Sequence, residues 1–386
     1  MSKRCWRCCF SDRAIGRSKQ RSVGTGASGV IRDTLVFVWS EAYAARRNLA
    51  VIAVGFILLP GLLMFGTLGF DQTLPEDIPI GIAPGDDATT ENDLTLAQGG
   101  VALLGTPQRY ETRENALRGL DREEVYLVIL VPPDMLDEDS TAEFRMIAHG
   151  SAVPLLEATG LLAAFLDIEL SSMLPGGADV VYEQRGVEYT LSEYLIPTGL
   201  TLFTLVVGLL YVPYDVRNNR QVLDRIRHQS SLEAFIAAKL LFYTAMTAVV
   251  LGAIAAANLY LESRVEPLRL ETAAAVGLLF VSTAAIGTGV LFITGLGRVA
   301  LFVNLGVLIG IVGFGSLLYP VGFFSPVRME IARSLPPHYL AVMLRGHLLR
   351  GDPFELYLEW YRLVGGYTIA CIGFCWGSIR TYERRA

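Results

Sequence analysis

Few residues in this chain sit at spacings that could do chemistry. Cys5-Trp6-Arg7-Cys8-Cys9 has C-x-x-C spacing, but a structural zinc site needs four ligands and no nearby His or further Cys completes one. Reduced cysteines in a tail account for the run better. Asp134, Asp137, Glu138 and Asp139 form an acidic cluster that lacks the Gly and the terminal Glu of a calcium loop, so a solvated face is expected there. The four histidines (His149, His228, His338 and His347) are not paired at ligand spacing. There is no G-x4-G-K-[ST] phosphate loop, no H-E-x-x-H and no G-x-S-x-G. The sequence therefore predicts no catalytic, metal or cofactor-binding residue, and no ATP bound by a phosphate loop in this chain.

The segment Tyr214–Arg227 is more informative. It interleaves Arg217, Arg220, Arg225 and Arg227 with Val222, Leu223 and Ile226, which predicts a short amphipathic helix. Such a helix can insert into a groove of a partner protein and pass on its motion. It can equally rest on lipid headgroups with its arginines against phosphates.

Long apolar stretches surround that segment. Of 386 residues 52% are hydrophobic and only 18% charged, where a soluble domain carries about a quarter. A helix needs about 20 apolar residues to cross the hydrocarbon core. Stretches of that kind occur at 49–68, 191–212, 235–259, 270–294, 299–318 and 363–379, predicting an all-α polytopic membrane domain of six spans. Basic residues in short flanking segments mark the cytoplasmic side. The first 48 residues hold ten basic and three acidic side chains, the loop 213–234 is arginine-rich, and the tail ends Arg384-Arg385. Both termini are thus expected in the cytoplasm of a multi-pass plasma-membrane protein. Residues 1–34 read as a disordered cytoplasmic tail, and 35–70 as an interfacial segment followed by the first span.

Residues 71–190 carry 23 acidic side chains against six arginines and read as an inserted extracytoplasmic α/β domain. Ile78–Ile82 and Val125–Val131 look like buried strands, with Gln108–Thr112 and Glu143–Ala148 as weaker ones. Glu91–Leu104, Arg113–Leu120 and Ala152–Ser171 show helical spacing. The remainder, 191–386, is expected to be a five-helix membrane domain. Its cytoplasmic loop is 213–234, and its outer segment 319–362 holds two helices, Pro326–Ser334 and His338–Arg350, read as interfacial or as ordinary loop helices.

The spans carry almost no ionisable residue between their ends. An ion-driven transporter normally places one near mid-membrane, so the driving energy is expected from outside the chain. Gly306 to Gly310 and Gly373 to Gly377 have G-x-x-x-G spacing, which lets helices approach closely, within one bundle or between subunits. Asn258 and Asn304 are expected to bond between helices.

Three stretches in order carry a family resemblance. They are Arg113–Ala116 through Val125–Val131 to Pro132-Pro133, then Tyr214–Arg227 leading to Lys239-Leu240-Leu241, and then Leu335-Pro336-Pro337-His338-Tyr339 with Leu344-Arg345-Gly346. With the six-span plan, the chain resembles the permeases of type-2 ABC exporters that have a large external domain after the first span. Gln221-Val222 and Ser230 depart from the family's Gly-Thr and Pro. The resemblance implies a subunit with no cofactor of its own, paired with a second permease chain and with ABC ATPase subunits that bind ATP and magnesium. It also implies export of a substrate from cytoplasm or membrane. Membrane lipid is an expected partner and nucleic acid is not. Arg217, Arg220, Val222, Leu223, Arg225, Ile226 and Arg227 would form the loop coupling the permease to the ATPase. The alternative is a receptor, sensor or envelope scaffold whose external domain binds a ligand.

Overall fold

The computed structural model describes residues 78–102, 105–133, 141–229, 231–261, 263–315 and 326–385, with Val36, Met135, Asp137 and Leu317 besides. The expected first span, the N-terminal cysteines and most of the Asp134–Asp139 cluster lie outside the described residues.

The first part is a mixed α/β unit. Its strands are β1 (Ile78–Pro84), β2 (Gly105–Arg109), β3 (Leu127–Val131), β4 (Ala142–His149) and β5 (Ala178–Arg185). Its helices are α1 (Glu91–Val101), α2 (Arg113–Asp121) and α3 (Val153–Met173). The sheet order is β2-β1-β3-β4-β5. β1 runs parallel to β2 and β3, β3 antiparallel to β4, and β4 parallel to β5. Val128 at the centre pairs with Gly81 on one side and Ile147 on the other. Helices α1 and α3 cover one face through Leu94, Ala97, Leu166 and Leu170, while α2 covers the other through Ala116 and Leu120. Both faces of β3 are thus buried, which is why its sequence is an unbroken apolar run.

Local chemistry sets the ends of these helices. The Thr90 side chain accepts from the N–H of Asp93, and Asp93 returns a bond to the Thr90 backbone, a capping box that starts α1. Thr112 caps α2 through the N–H of Asn115. β5 escaped the sequence reading because it is an edge strand with half its residues exposed, Asp179, Glu183 and Gln184 among them.

The second part is helical. A helix from Leu191 to Asn218 comprises α4 (Leu191–Val206), a widened turn Val207–Tyr211, and α5 (Val212–Asn218). It continues past the boundary expected at Val212. Pro213 has no N–H to offer, and the widened turn, in which the N–H of Val212 reaches back to the Val207 carbonyl, carries the helix through it. Then come α6 (Arg220–Gln229), α7 (Leu232–Leu261), α8 (Leu270–Ile293), α9 (Val299–Phe314), α10 (Pro326–Ser334), α11 (Pro336–Arg345), a second widened turn Gly346–Arg350, a 3-10 turn Phe354–Tyr357, and α12 (Leu358–Arg385).

Three of these helices, Leu191–Asn218, Leu232–Leu261 and Leu270–Ile293, are long and apolar enough to cross a membrane. The α9 helix has 16 residues, about 24 Å against a core of about 30 Å. The apolar stretch of α8 is 67% buried and that of α7 only 22%. So α8 is the hub and α7 lies at the periphery. Glycines let its neighbours reach α8. A Cβ on Gly287 would lie 2.9 Å from Pro213 Cγ and 3.0 Å from the Leu209 carbonyl oxygen. Asn304 on α9 donates to the Gly287 carbonyl at 3.0 Å, as an interhelical contact should. Asn258 bonds instead within its own connection, to the Val265 carbonyl. Around Gly306, Gly310, Gly373 and Gly377 no atom of the described residues lies within reach of a Cβ, so neither G-x-x-x-G spacing packs against the described helices.

Helix α11 differs from an interfacial helix. Residues 340–345 are all buried, wedged against α4 and α8. An interfacial helix would leave one face uncovered by protein, and α11 leaves none along those residues.

Candidate functional site: two buried charge clusters

Strand directions bring the starts of β1, β2 and β3 and the ends of β4 and β5 to one edge of the α/β unit. There the turn Asp121–Glu124, the segment His149–Ser151 and Arg185 meet α10, α11 and the second widened turn. Arg345 binds the Glu123 carboxylate with both ends of its fork, Nε to Oε1 at 3.0 Å and Nη2 to Oε2 at 2.7 Å. Arg350 reaches the same carboxylate at 3.3 Å, the Asp352 carboxylate at 2.9 Å and the Asp121 carbonyl at 2.7 Å. Tyr357 donates to Asp352 at 2.7 Å. Arg122 donates to the Leu356 carbonyl at 2.7 Å, and Arg333 to the Glu124 carbonyl at 3.1 Å. Five residues apart, Arg345 and Arg350 would stand about 140° apart round a regular α-helix. The widened turn after Arg345 lets both converge on Glu123.

Glu123 itself has a φ of 55°, the left-handed conformation in which glycine usually ends a helix. Here a carboxylate occupies the position, and the two guanidiniums hold it there. Burial pushes the Glu123 carboxyl up, but Arg345 and Arg350 outweigh burial and hold it at about 2. Burial lowers His149 to about 4, with Arg350 adding to the effect, and lowers His338 to about 3. His149 Nδ1 accepts from the Ser151 backbone N–H at 3.1 Å and lies 2.8 Å from its hydroxyl. Arg350 donates to that hydroxyl, which makes the pair part of the clamp. A cavity of about 10 Å³ lies between Glu123, His149, Ser151, Tyr194 and Arg350.

The second cluster holds the segment singled out in the sequence. Lys239 is fully buried. Its Nζ lies 2.5 Å from Asp215 Oδ2, to which Tyr243 also donates at 3.1 Å, and it sits 5.1 Å from the Phe235 ring centre. Arg217 donates to the Leu296 carbonyl at the α8–α9 turn. Arg380 on α12 pairs with Glu233 at 3.2 Å. The hairpin of α5 and α6 is thereby pinned to α7, α8 and α9. Leu223 and Ile226 are buried against Val212, Val216, Leu232, Phe235 and Leu296 of the same chain. Val222 is 40% and Tyr214 48% exposed, and Arg220 and Arg225 are exposed too. The side chain of Arg227 lies outside the described residues. Of the three apolar residues expected on a docking face, only Val222 points outward.

Among the described residues no group of three His, Cys, Asp or Glu could hold a metal ion. Sequence reasoning missed the Glu123–Arg345–Arg350 clamp altogether. Its signal was two arginines in an otherwise apolar helical stretch, and a five-residue spacing disguised their common target. The fold and its two clusters define a helical protein with three helices of membrane-crossing length and a small mixed sheet, consistent with a membrane protein. No protein-family model matches the chain, and no curated protein or solved structure matches it either.

Proposed function

We propose that this chain is the membrane-spanning permease subunit of an ATP-driven exporter, worked by a separate ATPase subunit on the cytoplasmic side. The observation that carries this reading is the α5–α6 hairpin. It is pinned by Asp215–Lys239 and Arg217 to the ends of α7, α8 and α9, yet presents Tyr214, Arg220, Val222 and Arg225 outward. A partner pushing on that face would move several long helices at once. In this reading α9, α12 and the segment 49–68 also cross the plasma membrane, the α/β unit lies outside, and both termini lie inside. The open faces of Gly306 and Gly310 on α9 support a second permease chain, since small residues favour close helix approach in lipid. Transport direction and ATPase pairing rest on the family resemblance.

A receptor or sensor is the second reading. The clamp favours it to one extent: it fastens the α/β unit firmly enough that a ligand bound there would act directly on α11. Co-purification with an ABC ATPase, followed by ATP hydrolysis in lipid, decides between them. Stable capture and hydrolysis stimulated by the chain support the permease. Failure to capture any such ATPase, with ligand binding by the α/β unit, supports the receptor.

A further inference from the structure

His347, Tyr361 and Glu271 form a hydrogen-bond chain whose protons can be counted. His347 Nδ1 lies 2.8 Å from the Asp352 carbonyl oxygen, and its Nε2 lies 2.9 Å from the Tyr361 hydroxyl. That hydroxyl lies 3.1 Å from the Glu271 carbonyl oxygen. A carbonyl only accepts, so Nδ1 must carry a hydrogen. On a neutral ring Nε2 is then bare and needs the hydroxyl hydrogen of Tyr361. The Glu271 carbonyl needs that same hydrogen, and Tyr361 has only one. Three contacts therefore share two hydrogens.

We infer that Tyr361 is a one-proton toggle between His347 and α8, and that protonating His347 closes both links at once. In the imidazolium, Nε2–H donates to the Tyr361 oxygen, Tyr361 donates to Glu271, and Nδ1–H keeps Asp352. The three residues belong to different elements: the second widened turn, the first turn of α12, and the first turn of α8. The toggle thus decides whether those ends are joined two at a time or all together. It stands independently of the transport reading.

The surroundings are consistent with a ring that is neutral near neutral pH. Burial lowers the basicity of His347, while Asp352 and Glu271 act to raise it and Arg269 to lower it. The Tyr357 ring meets it edge-on at 5.3 Å, and Phe354 stacks on Tyr361 at 4.4 Å. Arg345 on α11 and Arg350 in the same turn are taken up by Glu123 and Asp352, and Glu193 on α4 by the Arg264 N–H. The sign follows from the lowered value. This histidine contributes stability above the ordinary histidine range, and that stability is lost as pH falls through its folded value. Acidification therefore costs global stability while it closes the last local link.

The test uses the full chain in lipid nanodiscs with ¹⁵N-histidine, the His347 signals being those lost in His347→Gln. Near neutral pH the ring is expected as the Nδ1–H tautomer with a bare Nε2. On acidification it becomes the imidazolium, and exchange protection at residues 269–273 and 346–352 rises several-fold after correction for intrinsic rates. Tyr361→Phe removes the acceptor for Nε2–H, so it should lower the His347 pKa and abolish the protection change. An Nε2–H tautomer in the wild-type chain near neutral pH overturns the proposal even if the variant fails to fold. A folded Tyr361→Phe chain whose His347 titrates as in wild type overturns it too.

Discussion

The two charge clusters differ in what they join and in what they leave exposed. Glu123, Arg345, Arg350, Asp352 and Tyr357 bind the α/β unit to α11 and the turn after it. They do so with a bidentate ion pair, shared carboxylates and several backbone acceptors. Asp215, Lys239 and Tyr243 bind one hairpin to one helix through a single carboxylate. A network with many fixed donors has one geometry, so the α/β unit and α11 must move as a body. The hairpin is held by fewer bonds, to α7 and to the α8–α9 turn, and it keeps an exposed face. One end of the molecule is densely cross-bonded, and the other leaves Tyr214, Arg220, Val222 and Arg225 exposed.

The sharpest way to break that contrast is Glu123→Gln. It removes the charge that Arg345 and Arg350 share, leaving Arg350 to Asp352 alone, and about 3–5 kcal/mol should be lost, read as a fall in melting temperature of the purified chain in lipid. The same carboxylate sets a pH dependence. Its folded value of about 2 lies below the ordinary range, so its stabilisation is complete above that range and disappears as pH falls toward 2. A melting curve for Glu123→Gln that parallels wild type down the acid limb would show that the clamp contributes nothing.

Next in size are changes in the hairpin. Leu223→Asp and Ile226→Asp each bury a carboxylate among apolar side chains, and should cost on the order of 2 kcal/mol or more with loss of folded protein. Val222→Asp and Arg225→Glu lie on the exposed face and should leave melting unchanged within about 0.5 kcal/mol. On the permease reading they should nonetheless release an ATPase subunit on co-purification. If the exposed-face variants retain it, the hairpin is not the docking site.

Smaller still is a pair of glycine changes. Gly287→Ala forces a methyl against Pro213 and the Leu209 carbonyl and should cost about 1–3 kcal/mol. A Cβ at Gly306 meets no atom of the described residues, so Gly306→Ala should leave melting alone. If α9 faces a second chain, the same change should shift cross-linked dimer to monomer in lipid.

Much of the fold was legible because its signals are local. The buried strands β1 and β3 announced themselves as apolar runs between Pro, Gly and Asp. The helices α1, α2 and α3 showed their apolar spacing, and the three membrane-length helices their apolar stretches, though the first runs on past Val212 to Asn218. The segment Tyr214–Arg227 was legible as an amphipathic helix, but not which way its apolar side turned. Leu223 and Ile226 satisfy a partner groove and the chain's own α7 equally well on hydropathy. Only packing shows that α5, α7 and Leu296 in the α8–α9 turn already cover them.

By itself the sequence determined periodicity, span length, helix caps and the scarcity of charge between span ends, because each depends on residues within a few turns of one another. Tertiary structure alone decided the pairings. Glu123 and Arg345 are 222 positions apart, and no local rule links a carboxylate after α2 to an arginine in α11. Their meeting depends on strand direction bringing one sheet edge to α11, on a widened turn rotating Arg350 toward Arg345, and on Glu123 taking a left-handed backbone. Charges buried at such a distance in sequence stabilise the fold only once every other element is in place, so their partners become visible only in the folded chain.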